Sequence, residues 1–244
     1  MNVKDYRSQV EAEFGAAGSP GNASFASTAT SAEQNWADAI RQLADPMLPS
    51  EARKNAAQVL QAATFLGAQF APYRADYLAA LRTAATDADA DLRRSALDIL
   101  VNFNDEFARQ KLADGLRGIG EALVPQAAAL GMLARNDHNS AINIARDLLA
   151  GGTDVATRAQ AVRVLGSDPA ATELLAEIMK NKSEFREVRR ASAVALKGLN
   201  PQAFQAGAID ILSDASDFKD IQSTVGGALE RAGISLNRSS LKPP

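Results

Sequence analysis

Few residues in this chain of 244 amino acids are of the types that perform nucleophilic, acid–base or metal-ion chemistry. His138 is the only histidine and there is no cysteine, so a zinc site built from histidine and cysteine side chains cannot form within one chain. His138 lies in the polar segment 135–139, which is typical of an exposed turn that enters a helix. The sequence therefore predicts no catalytic residue, no metal ligand and no cofactor.

The glycine-rich segment 15–21 is the one candidate for a phosphate-binding loop. It lacks the Gly-Lys-Ser/Thr ending that cradles phosphates, and no strand pattern precedes it. Small and polar residues continue to position 31, which is the composition of a flexible linker. We therefore predict a linker here and no nucleotide site.

One nine-residue frame recurs along the chain and carries an arginine at its second position. It reads apolar, Arg, two free positions, small, apolar, free, apolar, Leu, and is clearest in segments 92–100 and 188–196. Segments 52–60 and 157–165 also fit, and weaker copies begin at Val124-Pro125 and Ile221-Gln222. The second positions are therefore 53, 93, 125, 158, 189 and 222. The arginines of the four clear copies are Arg53, Arg93, Arg158 and Arg189.

The elements that must position this frame are helices. Apolar residues within each copy fall at helical spacing, and another amphipathic stretch precedes each copy. Aromatic residues make up only 5% of the chain, and β-branched runs are almost absent, which excludes an extensive sheet. We predict six helix pairs whose second helices begin near residues 52, 91, 123, 156, 187 and 220. One pair cannot bury its apolar face alone, so the pairs must stack, with Leu100, Leu165 and Leu196 in the core.

The frame in segment 188–196, with Val188, Arg189, Ala193, Ala195 and Leu196, resembles the second helix of HEAT repeats. It is most similar to the short HEAT-like class found in phycobiliprotein lyases, and the resemblance covers roughly residues 31–233. The resemblance implies an all-α, right-handed α-solenoid, a superhelix of about six HEAT-like helix-pair repeats. Such armadillo-like helical scaffolds carry many functions, so the fold alone does not name one.

The resemblance and the composition together divide the chain into four predicted segments. These are an N-terminal amphipathic helix over 1–14, the linker over 15–31, the repeat region over 32–233 and a disordered tail over 234–244. The first carries an apolar stripe of Val3, Tyr6, Val10 and Phe14. Two interpretations of that stripe stay open: the helix caps the first repeat, or it docks into the repeat groove or onto a partner.

Net charge excludes a broad nucleic-acid-binding surface. The chain carries 26 basic and 29 acidic residues, a formal charge of −3, whereas a duplex-binding domain needs a positive excess to neutralise phosphates. No stretch is apolar over the length of a membrane span, and the N-terminus shows no apolar signal region. We therefore expect a cytoplasmic protein without a membrane or nucleic-acid partner.

The HEAT resemblance implies that Arg53, Arg93, Arg158 and Arg189 are structural and pair with acidic residues in adjacent turns. The candidate partners, in the same order, are Glu51, then Asp89 or Asp91, then Asp154, then Glu184 or Glu187.

Outward positions of the second helices form the candidate binding surface, because in HEAT solenoids they line the concave face. The residues are Lys54, Asn55, Gln58, Arg94, Asp98, Gln126, Arg163, Arg190 and Lys197. Stacking is expected to align Arg94, Arg163, Arg190 and Lys197 as a basic stripe that binds an acidic or extended segment of another protein.

Three functions are compatible with these features. The first is a non-enzymatic interaction module or scaffold that binds a protein along its concave face. The second is a bilin lyase-like, chromophore-handling subunit, and the third is a HEAT-like DNA glycosylase, which would need aromatic residues in a strongly basic groove. HEAT-like hydroxylases hold a di-iron centre with repeated His-Glu pairs, and the sequence contains none.

Overall fold

A computed structural model describes residues 35–232, and this part of the chain contains twelve α-helices and no β-strand, which confirms the all-α fold class. The helices are α1 (35–44), α2 (Ser50–Ala63), α3 (Arg74–Ala84), α4 (Ala90–Asn102), α5 (Glu106–Arg117), α6 (Gln126–Asn136), α7 (His138–Ala150), α8 (Val155–Leu165), α9 (Thr172–Lys180), α10 (Arg186–Leu199), α11 (Pro201–Ser213) and α12 (Lys219–Glu230). The predicted segments 1–14, 15–31 and 234–244 lie outside the described residues, together with the ends of the 32–233 region.

The even-numbered helices carry the six copies of the frame and begin close to the predicted positions. They start at 50, 90, 126, 155, 186 and 219, within three residues of prediction. Side-chain caps fix several starts: Asp89 accepts the Leu92 N–H and Asp154 accepts the Thr157 N–H. The largest difference is in α6, where Pro125 disfavours helical backbone at the residue before it and delays the start to Gln126.

The described residues divide into two compact units, with the boundary between residues 83 and 84. In the first, α2 is followed by two short 3₁₀ turns, Thr64–Leu66 and Ala71–Tyr73, which account for the long first repeat spacing. They bring Phe70 into an aromatic core, where its ring meets Trp36 and Tyr77 edge to face at 5.6 and 5.7 Å. Trp36 is therefore a core residue, 8% exposed.

In the second unit, helix pairs stack in chain order. The pairs are α5 with α6, α7 with α8, α9 with α10, and α11 with α12, and the second helices α4, α6, α8, α10 and α12 each pack against the next. Leu100, Leu165 and Leu196 are fully buried, as predicted. None of the helices in residues 35–232 has the length and hydropathy needed to cross a lipid bilayer.

Burial corrects the register of the weak copy in α6. In α4, the buried residues Ala96, Leu97, Ile99 and Leu100 stand three, four, six and seven positions after Arg93. The residues of α6 with the same burial are Ala129, Leu130, Met132 and Leu133. They stand at those intervals after Gln126, not after Pro125. Gln126 therefore occupies the arginine position of its pair.

Replacing Leu196 with alanine should lower the free energy of unfolding by about 2–5 kcal/mol, because the cavity forms between stacked pairs. Val194→Ala on the same helix is the matched control, since Val194 is 71% exposed, and should change stability by less than about 0.5 kcal/mol. Denaturant unfolding measures both. Hydrogen exchange should rise in α8 and α12 before α4, and a uniform rise would contradict nearest-neighbour stacking.

Candidate binding groove and the arginine ladder

Arg53, Arg93, Arg158 and Arg189, here called the arginine ladder, each donate to a backbone carbonyl at or just beyond the end of the preceding helix. Arg53 Nε donates to Leu43 O at 3.0 Å, and Arg189 Nε to Met179 O at 2.9 Å. The Nη1 atoms of Arg158 and Arg93 donate to Leu149 O at 2.9 Å and Asp87 O at 2.6 Å. The last carbonyls of a helix have no intrahelical donor, so Arg53, Arg158 and Arg189 each supply a hydrogen bond that such a carbonyl would otherwise lack. Arg93 does the same for a carbonyl in the turn after α3.

Three ladder arginines also contact the turn inside the following helix pair. Arg189 makes a two-pronged pair with Asp217, at 2.8 and 2.7 Å, and both side chains are buried. Arg158 pairs in the same way with Glu184, and Arg93 Nε donates to Leu123 O at 2.6 Å. One guanidinium therefore ties its own helix end to the neighbouring pair, which the planar fork of arginine allows.

The partner carboxylates differ from those suggested by the sequence. Asp89 and Asp154, expected to pair with Arg93 and Arg158, cap helices α4 and α8 instead. Glu184, a candidate for Arg189, serves the arginine of the preceding pair, Arg158. An acidic residue followed by phenylalanine and a basic residue, as in 184–186 and 217–219, marks both true partners five positions before the next ladder position. That tripeptide is the signal that could have identified them.

Within residues 35–232, the α11–α12 pair has the ladder contact to the end of its own first helix but not the contact to a following pair. Gln222 occupies the arginine position of α12, and its Nε2 donates to Ile211 O at 3.2 Å and Asp214 O at 2.8 Å. The glutamine amide nitrogen donates only to carbonyls of its own helix pair. Unlike a guanidinium, the side chain has no further N–H groups that could reach the turn of another pair. The ladder contact to a following pair therefore stops at Asp217 among the described residues.

Hydrogen bonding keeps both partner carboxyls ionised. Bonds from Arg189 hold the pKa of Asp217 below its usual value of 3.8, against the opposing effect of burial. Burial alone would raise the pKa of Glu184, but bonds from Arg158 and the Phe185 N–H outweigh it and lower that pKa from 4.5.

A separate groove lies between α8 and α10 and has a volume of about 610 Å³. Its floor consists mostly of small or branched residues, namely Gly166, Ala191, Val194, Ala195 and Gly198, and the exposed Ser167 also lines it. The charged residues that line it are Arg163, Glu187 and Arg190. The groove is thus mostly apolar inside and mainly basic at its edge, although the chain as a whole is slightly acidic.

Only two of the four residues expected to form a basic stripe line this groove. Arg163 and Arg190 do, and both are exposed. Arg94 is exposed on α4 outside the groove. Lys197 Nζ donates to Ala228 O at 2.9 Å, because that carbonyl lies in the last turn of α12 and needs a donor from outside the helix. Tertiary contact therefore redirects the lysine away from the groove.

The remaining predicted surface residues are dispersed. Asp98 pairs with Arg135 of α6, and Gln126 is half-buried at a ladder position. In the first unit, Asn55 and Gln58 are exposed on α2 and Lys54 is half-buried.

His138 of α7 contacts Ser167, which follows α8. The two atoms, Nε2 and Oγ, are 2.7 Å apart. The Ser167 Oγ also lies 2.8 Å from Val164 O, so the hydroxyl connects the end of α8 to the imidazole at the start of α7. Residues 35–232 contain no group of three or more histidine, cysteine, aspartate or glutamate side chains placed to hold a metal ion.

No protein-family model matches the chain, and no curated protein matches it. Among solved structures, the chain matches that of human deoxyhypusine hydroxylase in complex with glycerol. The two chains are 17% identical, the match covers 85% of this chain and 99% of the other, and the TM-score is 0.36. A likeness this distant carries no argument about the activity of this chain.

Arg189→Ala should lower the free energy of unfolding by about 3–5 kcal/mol, because Asp217 would stay buried without its partner. Arg186→Ala, which removes an exposed arginine from the same helix, should cost about 0–1 kcal/mol. Replacing both buried partners, as in Arg189→Met with Asp217→Leu, should restore in denaturant unfolding the part of the loss that comes from the stranded carboxylate. The part that comes from losing the donor to Met179 O should remain. A double variant as unstable as Arg189→Ala would show that the pair itself, and not the stranded carboxylate, sets the cost.

Stability should also fall in acid because of Glu184 and Asp217. Their lowered pKa values mean that the folded chain binds fewer protons than the unfolded chain. The stabilisation is fully present above the unfolded pKa values of 4.5 and 3.8, and is lost as the pH falls through the lower folded values. Glu184→Gln with Asp217→Asn should reduce the slope of this dependence when unfolding free energies are measured between pH 6 and pH 3. Part of the slope should remain, because the pKa values of Asp137, Asp154, Asp168 and Asp214 are also lowered. An unchanged slope would assign the acid sensitivity to other groups.

Proposed function

We propose that this chain is a non-enzymatic protein-interaction module of the HEAT-like repeat type, with its helix pairs continuing as a right-handed superhelix of about six repeats. The observation that carries the proposal is the open groove between α8 and α10 with Arg163 and Arg190 at its edge. The regular ladder contacts of the stacked pairs support the repeat architecture, since each ties one pair to the next.

The partner is proposed to be another protein, engaged through an acidic or extended segment. Arg163 and Arg190 favour carboxylates, and the small floor residues leave room for a side chain. Individual exposed charge contacts contribute only about 0.2–1 kcal/mol each, so binding should combine apolar burial with salt-sensitive attraction. A nucleic-acid partner is disfavoured because the groove lining has two arginines and a glutamate and no aromatic residue among the described positions.

A DNA glycosylase of this type would need an aromatic side chain that can stack on a base, and Trp36 is not placed to do so. It is packed against Phe70 and Tyr73 in the core of the first unit.

A chromophore-handling subunit stays the second candidate. An apolar groove of about 610 Å³ falls within the range of small-molecule sites, and two arginines at its edge would pair with the carboxylates of a bilin. Visible absorption that copurifies with the chain and disappears on exchange of Arg163 and Arg190 would favour this function over the first.

Reversal of both groove arginines tests the interaction module. Arg163→Glu with Arg190→Glu should strongly reduce capture of the native partner from an extract of the source cells, with little change in melting temperature. The matched control is Lys111→Glu with Arg117→Glu, which makes the same change in net charge at exposed positions of α5. Partner capture that survives the groove reversal would reject this surface, and equal loss in the control would indicate a nonspecific charge effect.

A further inference from the structure

We propose that the α8–α10 groove selects an acidic segment with an aliphatic residue, and that Asp220 competes with that segment for Arg190. The aliphatic side chain enters the floor while a neighbouring carboxylate binds between Arg163 and Arg190. This inference rests on the proposed function, because it names the chemistry of the partner and a residue that regulates its affinity.

The floor is built to accept a side chain from outside. Ala191 and Ala195 present only methyl groups, and a Cβ placed on Gly198 would meet nothing within 4 Å. Val194 is 71% exposed beside them, an apolar group that gains from being covered. An aliphatic residue of a partner would bury Val194 and fill the space above Gly198, whereas a polar residue placed over Ala191, Val194 and Gly198 would lose water against apolar surface.

The arginines at the edge retain donors for a carboxylate. Arg163 makes one hydrogen bond, from Nη1 to Gln160 Oε1 at 3.3 Å, and the guanidinium carries five N–H donors. Arg190 makes one long contact, from Nη1 to Asp220 Oδ2 at 3.4 Å. Both side chains are exposed, so a partner carboxylate can approach them without rearrangement of the core. Basic segments would be repelled from the same position.

The groove length fixes the size of the segment. Its lining along α10 extends from Glu187 to Gly198, which corresponds to about 16 Å at the helical rise of 1.5 Å per residue. An extended chain advances about 3.3 Å per residue, so about five residues span the groove. Glu187 lies one turn before Arg190 and repels carboxylates at that end. The acidic residue is therefore expected beside the aliphatic one, toward Val194.

Asp220 is the internal competitor. Its two carboxylate oxygens lie 3.7 and 3.4 Å from Arg186 and Arg190 of α10. These side chains are 37–54% exposed, so the ion pairs are weak and readily exchanged. A partner carboxylate that binds Arg190 replaces Asp220, and Arg186 keeps Asp220 in place through their remaining contact. Removing the Asp220 charge should therefore strengthen binding of an acidic segment.

Selection from random dodecapeptides displayed on phage tests the ligand chemistry, with the full chain as bait and the Gly198→Met variant for counter-selection. Enriched peptides should carry Asp or Glu within two positions of Leu, Ile, Val or Met. Affinity of a labelled, enriched peptide is then measured by fluorescence anisotropy. We expect at least tenfold weaker binding to Arg163→Glu/Arg190→Glu and to Gly198→Met, and about 1.5- to fivefold tighter binding to Asp220→Asn.

The variants separate loss of binding from loss of fold. Methionine at 198 occupies open space within α10 and has a higher helix propensity than glycine, so the melting temperature should be unchanged or higher. Lys111→Glu with Arg117→Glu should leave peptide affinity unchanged except for a small general charge effect. Arg163→Glu/Arg190→Glu tests the charge contact without filling the groove.

Three results would overturn the inference. The selection could enrich basic or purely polar peptides, or it could enrich no peptide that prefers the unaltered chain over the Gly198→Met variant. The enriched peptides could also bind Arg163→Glu/Arg190→Glu and Gly198→Met with unchanged affinity. Weaker binding to Asp220→Asn would reject the competition between Asp220 and the ligand. In any of these cases, capture of the native partner that still depends on Arg163 and Arg190 would leave the proposed function standing, with a folded partner surface as the ligand.

Discussion

Helix ends that are buried by stacking must find hydrogen-bond donors, and this constraint shapes the second unit. Each short helix ends against its neighbour, where water cannot reach all of its last carbonyls. A ladder arginine on the following helix supplies the donor, as Arg189 does for Met179 O. Once placed there, its guanidinium has further N–H groups that also need acceptors, and the turn of the next pair supplies them through Asp217. The same arginine side chain therefore caps the preceding helix and holds the next helix pair against it.

Small residues have a second role beyond helix formation. They allow close helix approach, as at Gly166, where an added Cβ would lie 3.0 Å from the Ala195 methyl. On the outward side of α10 they leave a groove instead, because Ala191 presents only a methyl group there and a Cβ on Gly198 would meet no described atom within 4 Å. The same composition that excludes aromatic stacking on nucleic acid therefore produces an apolar floor of modest size between two arginines.

Asp220, Arg186 and Arg190 couple this groove to the end of the stack. They link α10 to α12 through exposed ion pairs, whereas Arg189 and Asp217 link α10 to the turn that precedes α12 through a buried one. The buried pair is costly to break and holds the helices in register. The exposed pairs exchange readily with water or with another carboxylate. Adjacent arginines in one helix therefore have different surroundings, since Arg189 is buried in an ion pair and Arg190 stays exposed at the groove.

The sequence by itself determined the helical class, the positions of the second helices, the buried leucines and the recurrence of an arginine, because these depend on periodicity along one helix. It did not determine the partners of Arg158 and Arg189, which lie one pair further along the chain. It also misplaced the register of α6 by one residue and assigned Lys197 to a surface stripe. Each of these depends on distances between separate helices, and a pattern of residues along the chain carries no such distances. The packing of separate helices places Arg163 and Arg190 along the same groove and directs Lys197 to the Ala228 carbonyl instead.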